Sequence, residues 1–456
     1  YAIYPELFEK RMERDGGWVG WGTVEGMTNL DELGFLYHWG PGGASAISHD
    51  DQVGIYSFLY NDSMRYFADI GQYEKRPSAE EASARMQALL DSPDPRSHVL
   101  EVRPEATGRA RYLGRERSMG REAAEAWLRA GIAAVRRSAM IGPTGLIQVG
   151  YLVNRADWGG EDWWSGRAAC NIDPDIEGGY GQFVFDRWLG PEFEALRAAG
   201  AQPDGVGLDN YFSNSTTLDF DREHLAACDF PPPYAAGDFR PVIVGDTVMY
   251  EWVRELKTRL EAQGLWLMAN TGHQPFPFAQ HLLDINGLEW GVERTAPSTR
   301  MLAYHKQVVT LPVQPPHYEE AFIKSHLPMA AIPGGYGRGK EFEPGTATAA
   351  IYAKYIPIIL RMQGAGWEPM TWATADRADV SVERFGGGLP LLLSLHNHAD
   401  EVRTVTVSVE MGELGIAATS ARDVVEGTEL PARVEEGKLL VTVTLPASDK
   451  TVIELR

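Results

Sequence analysis

The sequence predicts an α/β protein: a (β/α)8 TIM-type barrel over residues 1–377, followed by a C-terminal antiparallel β-sandwich over 378–456. Three observations predict it. Strand-like apolar runs alternate with helical stripes over most of the chain, the mark of parallel strands joined by crossover helices. Eight such runs are present, the number that closes a barrel. Beyond about residue 378 the hydrophobic period falls to two, as in half-buried antiparallel strands.

The eight candidate strands are 18–21, 53–58, 146–152, 206–208, 265–269, 285–288, 307–311 and 328–332. Between them, Met249, Trp252, Val253, Leu256 and Leu260 recur at three- and four-residue spacing behind the cap candidate Asp246, as expected of a helix covering a barrel. Trp127, Leu128, Ile132 and Val135 form a similar stripe. Residues 349–362 read as a final helix, kinked or interrupted by Pro357 and stopped by Gly364-Ala365-Gly366. In the tail, Val405, Val407 and Val409 alternate with Thr404, Thr406 and Ser408, and Val441, Val443 and Leu445 alternate with Thr442 and Thr444. Turn signals at Glu435-Glu436-Gly437 and Glu426-Gly427 separate these strands, and the expected role of the tail is structural.

A length of 456 residues accommodates one large core and a smaller appended domain. With 42 Lys and Arg against 63 Asp and Glu, the formal charge of -21 opposes nucleic-acid and anionic-lipid partners. No apolar run approaches the roughly 20 residues that span a bilayer, so a soluble protein is expected. The opening Tyr1-Ala2-Ile3-Tyr4-Pro5-Glu6 lacks the basic and apolar regions of a secretion signal. The chain also starts without Met, compatible with removal of a leader or preceding domain, and the compartment and oligomeric state stay open. Cys170 and Cys228 are the only cysteines; they form no disulfide framework and read as buried free thiols.

Gly334-Gly335-Tyr336-Gly337-Arg338-Gly339-Lys340 has the spacing of a phosphate loop, but Glu341 stands where a Mg-holding Ser or Thr is required. Asp173-Pro174-Asp175-Ile176-Glu177-Gly178 begins like a calcium loop, yet its twelfth position is Val184 instead of a bidentate Glu. His396 and His398 lack a third ligand nearby in sequence and read as solvated. No cofactor or metal is called for.

Catalytic chemistry is best sought in carboxylates at strand ends. Gly205-Val206-Gly207-Leu208 runs directly into Asp209-Asn210-Tyr211, and Ile285-Asn286-Gly287-Leu288 runs into Glu289-Trp290. Barrel enzymes mount acids in this position. Cleaving a glycosidic bond requires two carboxyls, one ionised and one protonated, on opposite sides of the bond. Asp209 is the expected nucleophile. Glu289 is the expected acid/base, with Trp290 placed to desolvate it; Asp284 and Glu293 are its rivals, Glu293 fitting a surface salt bridge with Arg294 better. Thirteen tryptophans and eighteen tyrosines include several in Gly-, Asp- and Asn-rich segments, among them Trp39, Trp158, Trp163, Trp164 and Tyr336, where ring faces suit sugar stacking.

The stretch from Gly205 to Gly386 resembles barrel glycosidases of the α-galactosidase and endo-α-N-acetylgalactosaminidase group. That resemblance implies a retaining mechanism, with the nucleophilic Asp after the fourth strand, here Asp209, and the acid/base after the sixth, here Glu289. A Glu in the second role is similar to the endo-α-N-acetylgalactosaminidase branch. The block Gly366-Trp367-Glu368-Pro369-Met370-Thr371 with Val382-Glu383-Arg384-Phe385-Gly386 resembles the barrel-to-sandwich junction of bacterial relatives. Val206-Gly207-Leu208 replaces the Lys and aromatic residues that precede the nucleophile in α-galactosidases.

The expected activity is therefore that of a retaining α-glycosidase acting on an oligosaccharide or glycoside. Other strand-end loops would complete the pocket: Trp39 and Asp51 early in the chain, Tyr151 and Asn154 after the third candidate strand, Asn210 beside the nucleophile, Asn270 and His273 after the fifth, and Lys306 with Tyr336 later. Two other classes of function fit the sequence: a non-catalytic carbohydrate-binding protein on a barrel scaffold, and a metal-assisted hydrolase built from scattered His and Asp.

Overall fold

The structure, a computed structural model, describes residues 8–20, 24, 26–62, 64–101, 107–154, 163–212, 217–271, 279–289, 292–311, 319–336 and 340–456. Eight parallel strands among these form a ring: β1 (Gly17–Gly20), β2 (Phe35–Trp39), β3 (Tyr56–Asn61), β4 (Gly205–Leu208), β5 (Trp266–Asn270), β6 (Ile285–Leu288), β7 (Gln307–Thr310) and β8. Gly334 divides β8 into Ile332–Pro333, which pairs with β7, and Gly335–Tyr336, which pairs with β1 and closes the ring. The (β/α)8-type barrel is thus present.

Side chains alternate across each strand, so one set from every strand fills the interior. Trp18 and Trp39 meet there with ring centroids 4.8 Å apart, and Trp39 meets Tyr60 at 5.1 Å. Glycines on neighbouring strands make room for these rings. A Cβ on Gly207 would lie 2.1 Å from the Trp39 ring, and one on Gly287 would lie 2.9 Å from that of Trp18. At the closure, a Cβ on Gly334 would fall 1.8 Å from the Trp18 carbonyl oxygen, so only glycine allows β8 to meet β1.

One expected strand is replaced. Residues 146–152 do not enter the barrel: Val149–Asn154 pairs antiparallel with Trp163–Ala169, which in turn pairs with Arg65–Gln72. The missing barrel strand is Phe35–Trp39. Residues 62–198 and 212–263 together form a second compact unit holding that three-stranded sheet. Helix Arg121–Ser138 belongs to it and buries Leu128, Ile132 and Val135 of the predicted stripe, while Trp127 stays half-buried. Helix Gly245–Glu261 also belongs to this unit; Val244, not Asp246, is its cap, and Trp252 stacks on Phe185 at 4.8 Å.

In the first unit, helix Ala347–Ala365 runs without interruption through Pro357 and ends at Gly366. A six-stranded and a four-stranded antiparallel sheet follow, the first beginning with Trp367–Glu368 and the second with Ala373–Ala375. Leu391, Leu393, Leu395, Ile453 and Leu455 of one sheet share a core with Val405, Val407, Val409, Val441 and Val443 of the other, which makes the tail a β-sandwich. Phe385, Leu392 and Val452, from the six-stranded sheet, pack with Ile356, Ile359 and Met362 of the preceding helix.

Candidate active site

Along β4 the inward residues are Gly205 and Gly207, and the same alternation points Asp209 into the C-terminal mouth of the barrel. The Asp209 amide donates to the Asn61 carbonyl at 2.8 Å, extending the β3–β4 ladder to the site residue itself. Asn210 then turns the chain with a left-handed φ of 55°, a conformation its short polar side chain tolerates. Its backbone N–H donates to Asp209 Oδ1 at 2.8 Å. The Tyr60 hydroxyl, from the end of β3, donates to Asp209 Oδ2 at 2.8 Å.

Glu289 follows β6 on the inward series Ile285, Gly287, Glu289. One side chain joins the two acids. The Asn270 amide nitrogen, at the end of β5, donates to Asp209 Oδ1 at 3.1 Å and to Glu289 Oε2 at 2.8 Å. Asn270 is only 4% exposed, which fixes its amide in place. The two bonded oxygens cannot be farther apart than these two lengths laid end to end. Tyr336 of β8 also senses this mouth: burial raises its pKa above the ordinary tyrosine value, and the charge of Glu289 raises it further.

Asp209, Glu289, Asn210, Asn270 and Tyr336 therefore lie on strands or strand ends that share one mouth. Trp39 lies beneath it: its ring is 2% exposed and its Nε1 donates to the Gly207 carbonyl at 3.0 Å, so it packs the interior instead of offering a face to a ligand. Asp51 and Lys306 lie at the opposite, N-terminal end. Asp51 sits in helix Ala44–Val53 ahead of β3 and accepts the Gln202 N–H at 3.2 Å, while Lys306, just before β7, donates to the His281 carbonyl at 2.5 Å. Both are corrections with one cause: each precedes its strand, and chain direction puts strand starts away from the mouth. Tyr151 and Asn154 stand on the strand that the barrel lacks, and their side chains are outside the described residues, as is the whole of His273.

Of the rivals to Glu289, Asp284 is also at the strand-start end, where it accepts the Leu267 N–H at 2.8 Å and faces Arg11 at 3.3 Å. Glu293 pairs with Lys450 at 2.9 Å, not with Arg294 as expected. Tyr60 was missed by sequence reasoning, which ended the second candidate strand, the β3 of the structure, at residue 58; continuing the inward series from Phe58 by two would have found it.

No family model and no curated protein matches the sequence. Among solved structures, the chain is similar to a noncanonic maltogenic α-amylase, AmyB, from Thermotoga neapolitana, at 9% identity over 96% of this chain and 97% of that one, with a TM-score of 0.48. It is similar to an α-amylase from Malbranchea cinnamomea at 10% identity, over 94% and 88% of the two chains, with a TM-score of 0.47. A GH27 β-L-arabinopyranosidase from Geobacillus stearothermophilus matches at 9% identity over 98% and 97%, with a TM-score of 0.44.

Proposed function

We propose that the protein is a glycoside hydrolase acting with retention, with Asp209 as nucleophile and Glu289 as acid/base. The observation that carries this reading is the Asn270 amide shared between the two carboxylates at 3.1 and 2.8 Å. Such closeness suits attack by one carboxylate on the anomeric carbon: retaining pairs stand about 5–5.5 Å apart, whereas pairs that house a water stand roughly 6.5–9.5 Å apart.

Three donors, the Tyr60 hydroxyl, the Asn270 amide and the Asn210 N–H, converge on Asp209. They hold an anion in one orientation, which a nucleophile needs. Glu289 would protonate the departing oxygen while Asp209 forms the glycosyl ester, then remove a proton from the water that hydrolyses the ester. An α-linked substrate is the reading that the sequence resemblance adds.

A panel of aryl α- and β-glycosides assayed with the wild type, Asp209→Asn and Glu289→Gln tests the proposal. The wild type is expected to hydrolyse at least one member, and Asp209→Asn to lose on the order of 10⁴-fold in turnover, the scale of removing one member of a catalytic constellation. Full activity in Asp209→Asn would remove that residue from the mechanism. A wild type inert to every glycoside would favour a carbohydrate-binding role.

A further inference from the structure

The second unit holds a cluster that the glycosidase reading does not use. Asp173, Cys228 and Glu251 each bring one ligand-type atom to within 4.8 Å of the others. Three separate segments supply them. Asp173 opens the turn after strand Trp163–Ala169, Cys228 caps the end of helix Arg222–Ala227, and Glu251 lies on helix Gly245–Glu261. The Cys228 Sγ is 4.0 Å from Glu251 Oε1.

Asp173 is 0% exposed and Glu251 5%, so both acids have left bulk water. The Asp175 N–H satisfies Asp173 Oδ1 at 2.9 Å, whereas Oδ2 is buried with no amide, amine or hydroxyl donor, and the side chain's other partner is the Glu251 carboxyl, itself an acid. Two buried carboxyls in contact need either a shared proton or a cation between them. None of the salt bridges among the described residues brings a Lys, Arg or His to Asp173 or Glu251.

We propose that Asp173 Oδ2, Cys228 Sγ and Glu251 Oε1 bind a zinc ion that clasps these three segments together. A thiolate beside two carboxylates suits zinc, whereas calcium and magnesium take oxygen ligands. Zinc bonds of about 2.0–2.3 Å set tetrahedral edges of roughly 3.5 Å, so the three atoms need to close by about 1 Å. Water completes the tetrahedron from the half-exposed side of Cys228. Binding sends the thiol proton and the proton shared by the two acids to solvent, leaving a thiolate and two carboxylates on the metal. The role is structural, and it stands or falls independently of Asp209 and Glu289.

The full-length protein, stripped with a chelator and dialysed, is titrated with ZnCl2 by calorimetry, with bound metal counted by elemental analysis. One zinc per chain is expected, together with a rise in melting temperature and at least a tenfold weaker affinity in Cys228→Ser and Glu251→Gln. Less than stoichiometric zinc in the wild type, or affinity unchanged in Cys228→Ser, overturns the proposal. Should the variants fail to fold, the unmodified protein loaded with Co2+ decides: a thiolate-to-cobalt charge-transfer band supports the site, and its absence overturns it.

Discussion

Tyr60 separates two roles that a site residue can have. Its hydroxyl touches Asp209 Oδ2 at 2.8 Å, while its ring packs against Trp39. Tyr60→Phe keeps the ring and removes only the hydrogen bond. A bond to a charged acceptor contributes about 1.5–3 kcal/mol, so turnover should fall roughly 10- to 100-fold with little change in melting temperature. Steady-state kinetics and a thermal melt on one preparation check both halves. At this scale the placement of the two carboxylates was legible, because β-strand alternation past Leu208 and Leu288 puts Asp209 and Glu289 on the inward series. Asn270 was expected as a sugar contact, and its contact with both carboxylates depends on the spacing of β4, β5 and β6, which no local pattern encodes.

Among the elements, the Gly-x-Gly pattern of β4 is a packing requirement. A Cβ at position 207 would lie 2.1 Å from Trp39, which is 2% exposed and packs against Trp18 and Tyr60. Gly207→Ala should destabilise the protein by about 1–3 kcal/mol or more and lower activity by displacing the floor of the site. Gly364→Ala is the control. It lies near the end of helix Ala347–Ala365 with nothing within 4 Å of its added Cβ, and should stabilise by up to about 1 kcal/mol. Denaturant unfolding of both variants checks the contrast. The same scale explains the misassigned strand. The run at 146–152 and the segment Phe35–Trp39 are equally apolar by local pattern, and only the parallel pairing of Phe35–Trp39 with β1 and β3 decides which one enters the ring. Helix Gly245–Glu261 was visible as an amphipathic stripe for the same reason that its partner was not: periodicity shows which face is buried, not what buries it.

For the whole first unit, the sandwich continues the barrel's core. Phe385, Leu392 and Val452 cluster with Ile356, Ile359 and Met362, and Lys324–Asp449 at 2.6 Å and Lys450–Glu293 at 2.9 Å flank that contact. Ending the chain after Gly366 would bare this apolar face. The truncated protein is expected to aggregate or bind a hydrophobic dye rather than elute as a folded monomer; a soluble monomer with an unchanged melt would show the two layers to be independent. The barrel and sandwich were both legible, because periods of 3.6 and 2 survive in the sequence. A second unit assembled from residues 62–198 and 212–263 was not, since its helices and strands carry the same periods as those of a barrel.

The central claim is that Asp209 forms the covalent bond to sugar. The most direct measurement is peptide mass spectrometry of the wild type inactivated with an activated 2-deoxy-2-fluoro glycoside of the sugar found in the panel. One glycosyl increment is expected, on the peptide bearing Asp209 and absent from Asp209→Asn. An increment on Glu289 or another carboxylate, or products of inverted configuration with no increment at all, would contradict it.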